Sequence, residues 1–189
     1  MKNHWNMELI VSLSAMFIGI SAFLVSMYQA RQMSKQTEIL LEQQHASVWP
    51  RLFSYRNTGT NENGPTYAIG LDNRGLGPAQ IKYVEVLIDG KPVKNWNDAY
   101  AQMGGEGVFL RSKASLPNLI MKPAESINVL QVSGEIAKPF LSHEIDLITC
   151  YCSLYERCWI LDESTISKGF PLPVPVAACP SNDDRQFLD

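Results

Sequence analysis

The sequence has few of the residues on which common catalytic and binding sites depend. It contains only three histidines, His4, His45 and His143, and no cluster of histidines or acidic residues that indicates a metal site. Basic residues are scattered, and the lack of a basic patch excludes a nucleic-acid-binding surface. The glycine-rich stretch at residues 73–79 lacks the Lys-Ser/Thr pair of a nucleotide-binding loop. These absences predict no cofactor and no nucleic acid partner.

A cysteine nucleophile would need a histidine within hydrogen-bonding reach, and the sequence does not offer one. His143 is the one histidine in the soluble part, and a strand of seven residues would place it roughly 23 Å from Cys150. The carboxylates Asp146 and Glu163 are interpreted as ordinary solvent-side and turn charges. We therefore predict no catalytic residues and no enzyme.

One long apolar run is present, at residues 9–28, with no charge between Glu8 and Arg31. A helix rises ~1.5 Å per residue, so about 20 such residues span the hydrocarbon core of a bilayer. The run is longer than the ~7–15 apolar residues of a signal peptide, and no small-x-small cleavage site follows it. After a short tail at 1–8, we predict a single uncleaved transmembrane helix in the inner (cytoplasmic) membrane.

Small residues recur along this predicted helix at steps of three and four positions, which places them on one face. They are Ser12, Ala15, Gly19, Ala22 and Ser26. In lipid, small side chains let helix backbones approach closely, so the stripe predicts the seam of a homo-oligomer. The alternative is that such residues are simply common in membrane helices.

The rest of the chain predicts a mainly β domain. Residues 29–47 continue the helix as a polar juxtamembrane stalk, and about 140 residues remain, which suits one ordinary domain. Alternating apolar residues predict strands, with the clearest at 145–152, and the Asp-Gly pair at 89–90 predicts a hairpin turn. The polar segment 57–65 is predicted to be a loop.

Roughly seven short strands without a βαβ rhythm favour an antiparallel, immunoglobulin-like β-sandwich over residues 48–167. A small closed barrel is the alternative. The final segment, 168–189, carries several prolines, and we predict that it runs extended over the surface, outside any sheet.

The spacing of turn residues resembles a known bacterial arrangement. Residues 73–81 read Asn-Arg-Gly-Leu-Gly-Pro-Ala-Gln-Ile, between two predicted strands, with Trp-Pro at 49–50 and Asp-Gly at 89–90. This pattern is similar to that of uncharacterised membrane-anchored proteins with an N-terminal transmembrane helix and an immunoglobulin-like domain. The resemblance covers the chain from the anchor to about residue 96, and it covers the Cys-Tyr-Cys sequence at 150–152 as well. The resemblance implies an architecture and no catalytic residues.

The four cysteines are the one group that suggests special chemistry. Cys150 and Cys152 leave the same face of a strand and cannot easily bond to each other. Cys152 and Cys158 flank a turn and could form a disulfide, which would leave Cys179 to reach Cys150. Free thiols and a four-thiolate zinc site are the alternatives, although zinc sites usually use Cys-x₂₋₄-Cys pairs, so we predict no metal.

The side of the membrane that holds the domain is weakly specified, because Lys2 precedes the apolar run whereas Arg31 and Lys35 follow it. A short basic tail before an uncleaved anchor favours the periplasmic side for the domain. The cytoplasmic side is the alternative, in which the cysteines would be free thiols.

Aromatic residues near the last predicted hairpin suggest a binding patch, with packing in the core as the alternative. They are Tyr151, Tyr155, Trp159 and Phe170.

Together these features predict a membrane-anchored, non-enzymatic binding or assembly module that acts through contacts with a protein partner. The alternative is a membrane effector or sensor whose β domain binds a small signalling ligand and whose anchors oligomerise. A pocket with convergent basic groups would favour the alternative.

Overall fold

A computed structural model of the chain describes residues 2–106, 116–164, 172–181 and 184–189. The chain divides into two compact units, Met1–Ala46 and Ser47–Asp189. The first unit is a helix and the second is the β domain, and the C-terminal segment belongs to the β domain.

The first unit is one continuous helix, α1 (Lys2–Ser47), which contains both the predicted membrane segment and the predicted stalk. By length and composition, the part from Met7 to Ser47 includes a segment able to cross a membrane, and its apolar side chains are exposed in the isolated chain. The Ser21 and Ser26 hydroxyls each donate a 2.8 Å hydrogen bond to the carbonyl four residues earlier. The hydroxyls of these two serines are therefore paired within the helix, which makes them compatible with an apolar environment.

The second unit consists of nine strands and two short helices in its described part. The strands are β1 (Leu52–Asn61), β2 (Gly64–Asn73), β3 (Ala79–Ile88), β4 (Lys91–Val93), β5 (Ile120–Met121), β6 (Ser126–Ser133), β7 (Ile145–Cys152), β8 (Cys158–Asp162) and β9 (Val174–Val176). The helices are α2 (Trp96–Gln102) and α3 (Ala137–Ser142), the latter preceded by a 3₁₀ turn, Gly134–Ile136.

The strands form two antiparallel sheets. The first sheet has the order β1-β2-β6 and the second has the order β4-β3-β7-β8-β9, with β5 pairing with the start of β3. One hydrophobic core takes buried side chains from both sheets. Among them are Leu52, Ile69, Leu71 and Leu130 from the first sheet and Ile81, Val84, Val86, Leu147 and Tyr151 from the second.

The β1–β2 hairpin replaces the polar loop that the sequence predicted at 57–65, so that prediction was wrong. The two strands pair without interruption from Leu52 opposite Asn73 to Asn61 opposite Gly64. The outer half of β1 is exposed, which explains its polar composition, because backbone pairing there needs no apolar side chains. Gly64 has a φ of 109°, which a glycine adopts without strain.

The predicted hairpin turn at Asp89 and Gly90 is confirmed. Ile88 pairs with Lys91, and the two turn residues have φ values of 50° and 76°. Positive φ at both central positions is the geometry of the primed hairpin turns, for which Asp-Gly is a preferred sequence.

Asn73 is a buried polar centre that holds the turn after β2. Its side-chain amide donates to the carbonyls of Gly77 (2.9 Å), Met121 (3.3 Å) and Lys122 (3.1 Å), and its Oδ1 accepts from the backbone amides of Arg51 (3.2 Å) and Gly75 (3.0 Å). In the same turn, a Cβ on Gly77 would overlap the carbonyl of Val48. Glycine is therefore required there by the close approach of two backbone segments.

The C-terminal segment forms a strap across the second sheet (residues 172–181 and 184–189). It begins as the edge strand β9, so the prediction that it lies outside any sheet was wrong. Cys179 is bonded to Cys150 on β7, Arg185 forms an ion pair with Glu85 on β3, and the ring of Phe187 is buried in the core. An edge position tolerates Pro175, which lacks an amide hydrogen.

We predict that Asn73→Ala destabilises the domain by about 3 kcal/mol, because it leaves several buried backbone groups without a partner. The matched control, Asn63→Ala in the exposed hairpin turn, should change the free energy of unfolding by less than about 0.5 kcal/mol. Urea unfolding of the full-length protein in detergent, followed by tryptophan fluorescence, measures both. Equal effects of the two substitutions would contradict the role given to Asn73.

Candidate functional site

Strand β7 has two different faces. Leu147, Thr149 and Tyr151 are buried, and Leu147 and Tyr151 belong to the hydrophobic core. Cys150 and Cys152 alternate with them and so lie on the opposite face of the sheet. On that face both cysteines lie under the strap, so they are close to residues that are distant in sequence.

The first disulfide joins Cys152 to Cys158 across the β7–β8 hairpin. The two residues are directly paired in the ladder, and their Cα atoms are 4.0 Å apart. The connecting turn is closed by a 2.8 Å hydrogen bond from the Ser153 amide to the Arg157 carbonyl. The hairpin thus brings together two side chains on the same face of neighbouring strands.

The second disulfide joins Cys150 to Cys179, with Cα atoms 5.6 Å apart. It attaches the strap to the middle of the sheet. All four cysteines of the chain lie in its described part and all are in disulfides, in the same two pairs that the sequence analysis put forward.

The two disulfides touch each other. The Sγ atoms of Cys152 and Cys179, which belong to different bonds, are 3.7 Å apart, and the sulfurs of Cys152, Cys158 and Cys179 lie within 4.8 Å of one another. A zinc site needs thiolates, and a sulfur in a disulfide cannot be one. In this oxidised form the cluster is therefore a pair of neighbouring disulfides.

A surface cleft of about 500 Å³ lies against this cluster. It is lined by strand residues, by the strap and by three of the four cysteines. They are Gln80, Lys82, Cys152, Glu156, Cys158, Ala177, Ala178, Cys179, Pro180, Ser181 and Gln186. The lining includes one lysine and one glutamate, so its charge is mixed.

The aromatic residues of the predicted binding patch do not share one surface. Tyr151 is fully buried, where burial raises its pKa to about 12 and its hydroxyl accepts a 3.2 Å hydrogen bond from the Leu52 amide. Trp159 is half-buried, and its ring is 5.8 Å from that of Tyr151. Tyr155 is exposed in the β7–β8 turn, and Phe170 lies outside the described residues. Including Tyr151 in the patch was wrong, because its position on β7 faces the core.

The charged side chains near the start of β7 are more buried than the sequence indicated. Arg56 on β1 lies 3.0 Å from Glu163 and 3.5 Å from Asp146, and both carboxylates are largely buried. Burial raises the pKa of Asp146, nearby Glu144 adds to the increase, and Arg56 opposes it. Describing Asp146 and Glu163 as solvent-side and turn charges was wrong. Their partner lies in the other sheet, and no local pattern reveals it.

His143 lies at the opposite end of the second sheet from the cysteines. Its Nδ1 is 2.7 Å from Asp89 Oδ2, and this hydrogen bond is the main cause of a lowered pKa for Asp89. The pair closes the β3–β4 turn together with a hydrogen bond from the Glu144 amide to Asp89. His143 therefore has a structural partner in this turn.

The small residues of the predicted seam lie on α1, within the first unit. Ser12, Ala15, Gly19, Ala22 and Ser26 are all exposed in the isolated chain. A Cβ added at Gly19 would meet no other atom within 4 Å. The face is therefore open to another helix, and its role as a seam stays a prediction.

Comparison with protein-family models, curated proteins and solved structures found no match. The resemblance to anchored bacterial proteins therefore stays a prediction. What the structure shows is its coarse architecture, a long apolar N-terminal helix followed by antiparallel sheets.

The two disulfides should differ in their contribution to stability, because they close loops of different length. The separations are 29 residues for Cys150–Cys179 and 6 residues for Cys152–Cys158. The chain-entropy relation gives about 3.6 kcal/mol for the long loop and about 2.2 kcal/mol for the short one. We predict that the double Cys→Ser variant of Cys150 and Cys179 has the lower urea midpoint. The reverse order would contradict this assignment.

Proposed function

We propose that the protein is a single-pass inner-membrane protein whose β domain binds a protein partner without catalysing a reaction. Residues 9–28 of α1 serve as the anchor, and their apolar side chains contact lipid. The observation that carries the binding role is an exposed surface around Trp49 that combines aromatic side chains with two arginines.

The strand order supports an immunoglobulin-like sandwich for this domain. Sheet β1-β2-β6 corresponds to strands A, B and E of that fold, and the order β4-β3-β7-β8 corresponds to C′, C, F and G. The domain differs from antibody domains because its disulfides lie on the outer face of one sheet. Such sandwiches are often binding modules, although the fold alone does not specify a function.

The Trp49 surface is formed by the segment that leads into β1 and by the turn after β2 (Trp49, Arg51, Phe53, Arg74 and Leu76). Trp49 is 51% exposed, although its ring lies 6.3 Å from that of Trp159. Leu76 is 74% exposed, and its amide donates a 2.9 Å hydrogen bond to the Trp49 carbonyl. The Asn73 turn thus fixes two large apolar side chains in contact with water.

Two arginines extend this surface. The guanidinium groups of Arg51 and Arg74 each lie 5.1 Å from the centroid of the Phe53 ring. Trp, Tyr and Arg are the residues most enriched at the energetic centres of protein–protein interfaces, and rigid side chains lose little entropy on binding. An exposed cluster of aromatic and arginine side chains that the turn after β2 holds in place favours a protein as the partner.

The disulfides support the periplasmic side for the domain. Structural disulfides persist in oxidising compartments and are rare in the reducing cytosol. The small-residue face of α1 supports self-association in the membrane, because Gly19 and its neighbours allow a second helix to approach closely. The proposed assembly is therefore a homo-oligomer that presents several copies of the Trp49 surface.

The alternative, a sensor of a small signalling ligand, would use the cleft beside the disulfides as its binding pocket. Its lining combines Lys82 with Glu156, so positive charge is not concentrated as an anionic ligand would require. The mixed charge of this lining makes protein binding the better-supported function.

Site-specific photocrosslinking in intact cells tests the binding role. A benzophenone amino acid at position 49 or 76 should capture a discrete protein, because both side chains are exposed at the centre of the proposed surface. Leu141 is the matched control: it is 43% exposed and precedes β7, whose first residue pairs with Ile88 at the far end of β3. Capture of the same proteins at position 141, or of none at 49 and 76, would contradict the proposal.

A further inference from the structure

Two sulfurs of different disulfides are close enough to exchange partners. Cys152 Sγ lies 3.7 Å from Cys179 Sγ, whereas a disulfide bond is about 2.05 Å long. Less than about 2 Å of movement would bond them, which rotation of the side chains can supply. Cys152 is therefore positioned to attack the neighbouring disulfide as soon as its own bond opens.

Access to the cluster is unequal. Cys152 and Cys158 line the surface cleft with 5% and 7% of their surface exposed, Cys179 lines it half-buried, and Cys150 is fully buried. The hairpin disulfide has two sulfurs that a thiol can attack. Attack on Cys158 Sγ leads to further exchange, because it releases the Cys152 thiolate beside Cys179. An incoming thiol can therefore start a sequence of exchanges without reaching the buried cysteine.

We propose that this cleft is a thiol–disulfide exchange site whose substrate is a thiol, and that the protein reacts with it stoichiometrically, consuming one of its own disulfides, rather than as a catalyst. The thiolate of the substrate attacks Cys158 Sγ, forms a mixed disulfide and expels Cys152 as a thiolate. Cys152 then attacks Cys179 Sγ, the Cys150–Cys179 bond breaks, and Cys150 leaves as a thiolate that takes up the proton lost by the substrate. Each step forms one S–S bond and breaks one, so no other oxidant or reductant is needed.

This exchange preserves the tether between the strap and the sheet. The strap was bonded to Cys150 and becomes bonded to Cys152, two residues along the same strand face. Pairing of β9 with β8 and burial of Phe187 hold the strap on either side of Cys179 throughout. A second thiol releases Cys158 from the mixed disulfide, and the net result is a two-electron reduction in which the strap stays attached.

The test uses the oxidised full-length protein in detergent, with reduced glutathione as the probe. After acid quenching, alkylation and digestion, cleavage after Tyr151, Arg157 and Lys168 places each of the four cysteines on a different peptide for mass spectrometry. The expected first product has glutathione on Cys158, a Cys152–Cys179 bond and an alkylated Cys150. Glutathione on Cys179, or an intact Cys150–Cys179 bond after the hairpin disulfide has opened, would overturn the proposal.

Two further samples keep the result independent of a folding defect. Cys158→Ser leaves the Cys152 thiol beside the second disulfide, so Cys152–Cys179 should form without any added thiol, and its absence in a folded variant would overturn the proposal.

Reduced thioredoxin at the same thiol concentration serves as a protein probe. If it reacts more than tenfold faster than glutathione, the natural thiol belongs to a redox protein, and otherwise it is a small molecule. Neither result depends on whether the Trp49 surface binds a partner.

Discussion

The two-residue period of β7 is the constraint on which the rest of the domain depends. This strand lies between β3 and β8, and its buried side chains Leu147 and Tyr151 contribute to a core shared by both sheets. The same alternation directs Cys150 and Cys152 to the outer face. A shift of the strand by one residue would place the cysteines in the core and the apolar side chains under the strap. The hydrophobic core and the disulfide cluster therefore fix the same register.

The outer face of the second sheet is closed by covalent and noncovalent contacts with the strap. The bond from Cys179 attaches the strap to β7, the ion pair of Arg185 with Glu85 attaches it to β3, and the ring of Phe187 is buried in the core. At the end of the sheets where β3 begins, Asn73 organises the turn that presents Leu76 and holds the backbone next to Trp49. The cleft and the Trp49 surface thus arise from the same packing that stabilises the domain.

Local patterns in the sequence identified the elements that depend on local chemistry. The strand over 145–152 and the hairpin at Asp89 and Gly90 could be predicted from alternation and turn residues. Features that depend on distant partners could not. The exposed part of the β1–β2 hairpin has no apolar alternation, and the partner of Asp146 and Glu163 is an arginine in the other sheet. Prolines at 173, 175 and 180 argue against a strand in the strap, and the core that buries Phe187 is built by distant strands, so neither β9 nor that burial was visible in the local sequence.

The most direct test of this account is the redox state of the four cysteines in the native protein. Membranes would be isolated from cells quenched with acid, alkylated under denaturing conditions without reduction, and the full-length protein mapped by mass spectrometry. The account predicts Cys150–Cys179 and Cys152–Cys158 as the main bonds, with little alkylation of any cysteine. Four alkylated cysteines would contradict it, because they would place the domain in a reducing compartment and remove the covalent attachment of the strap.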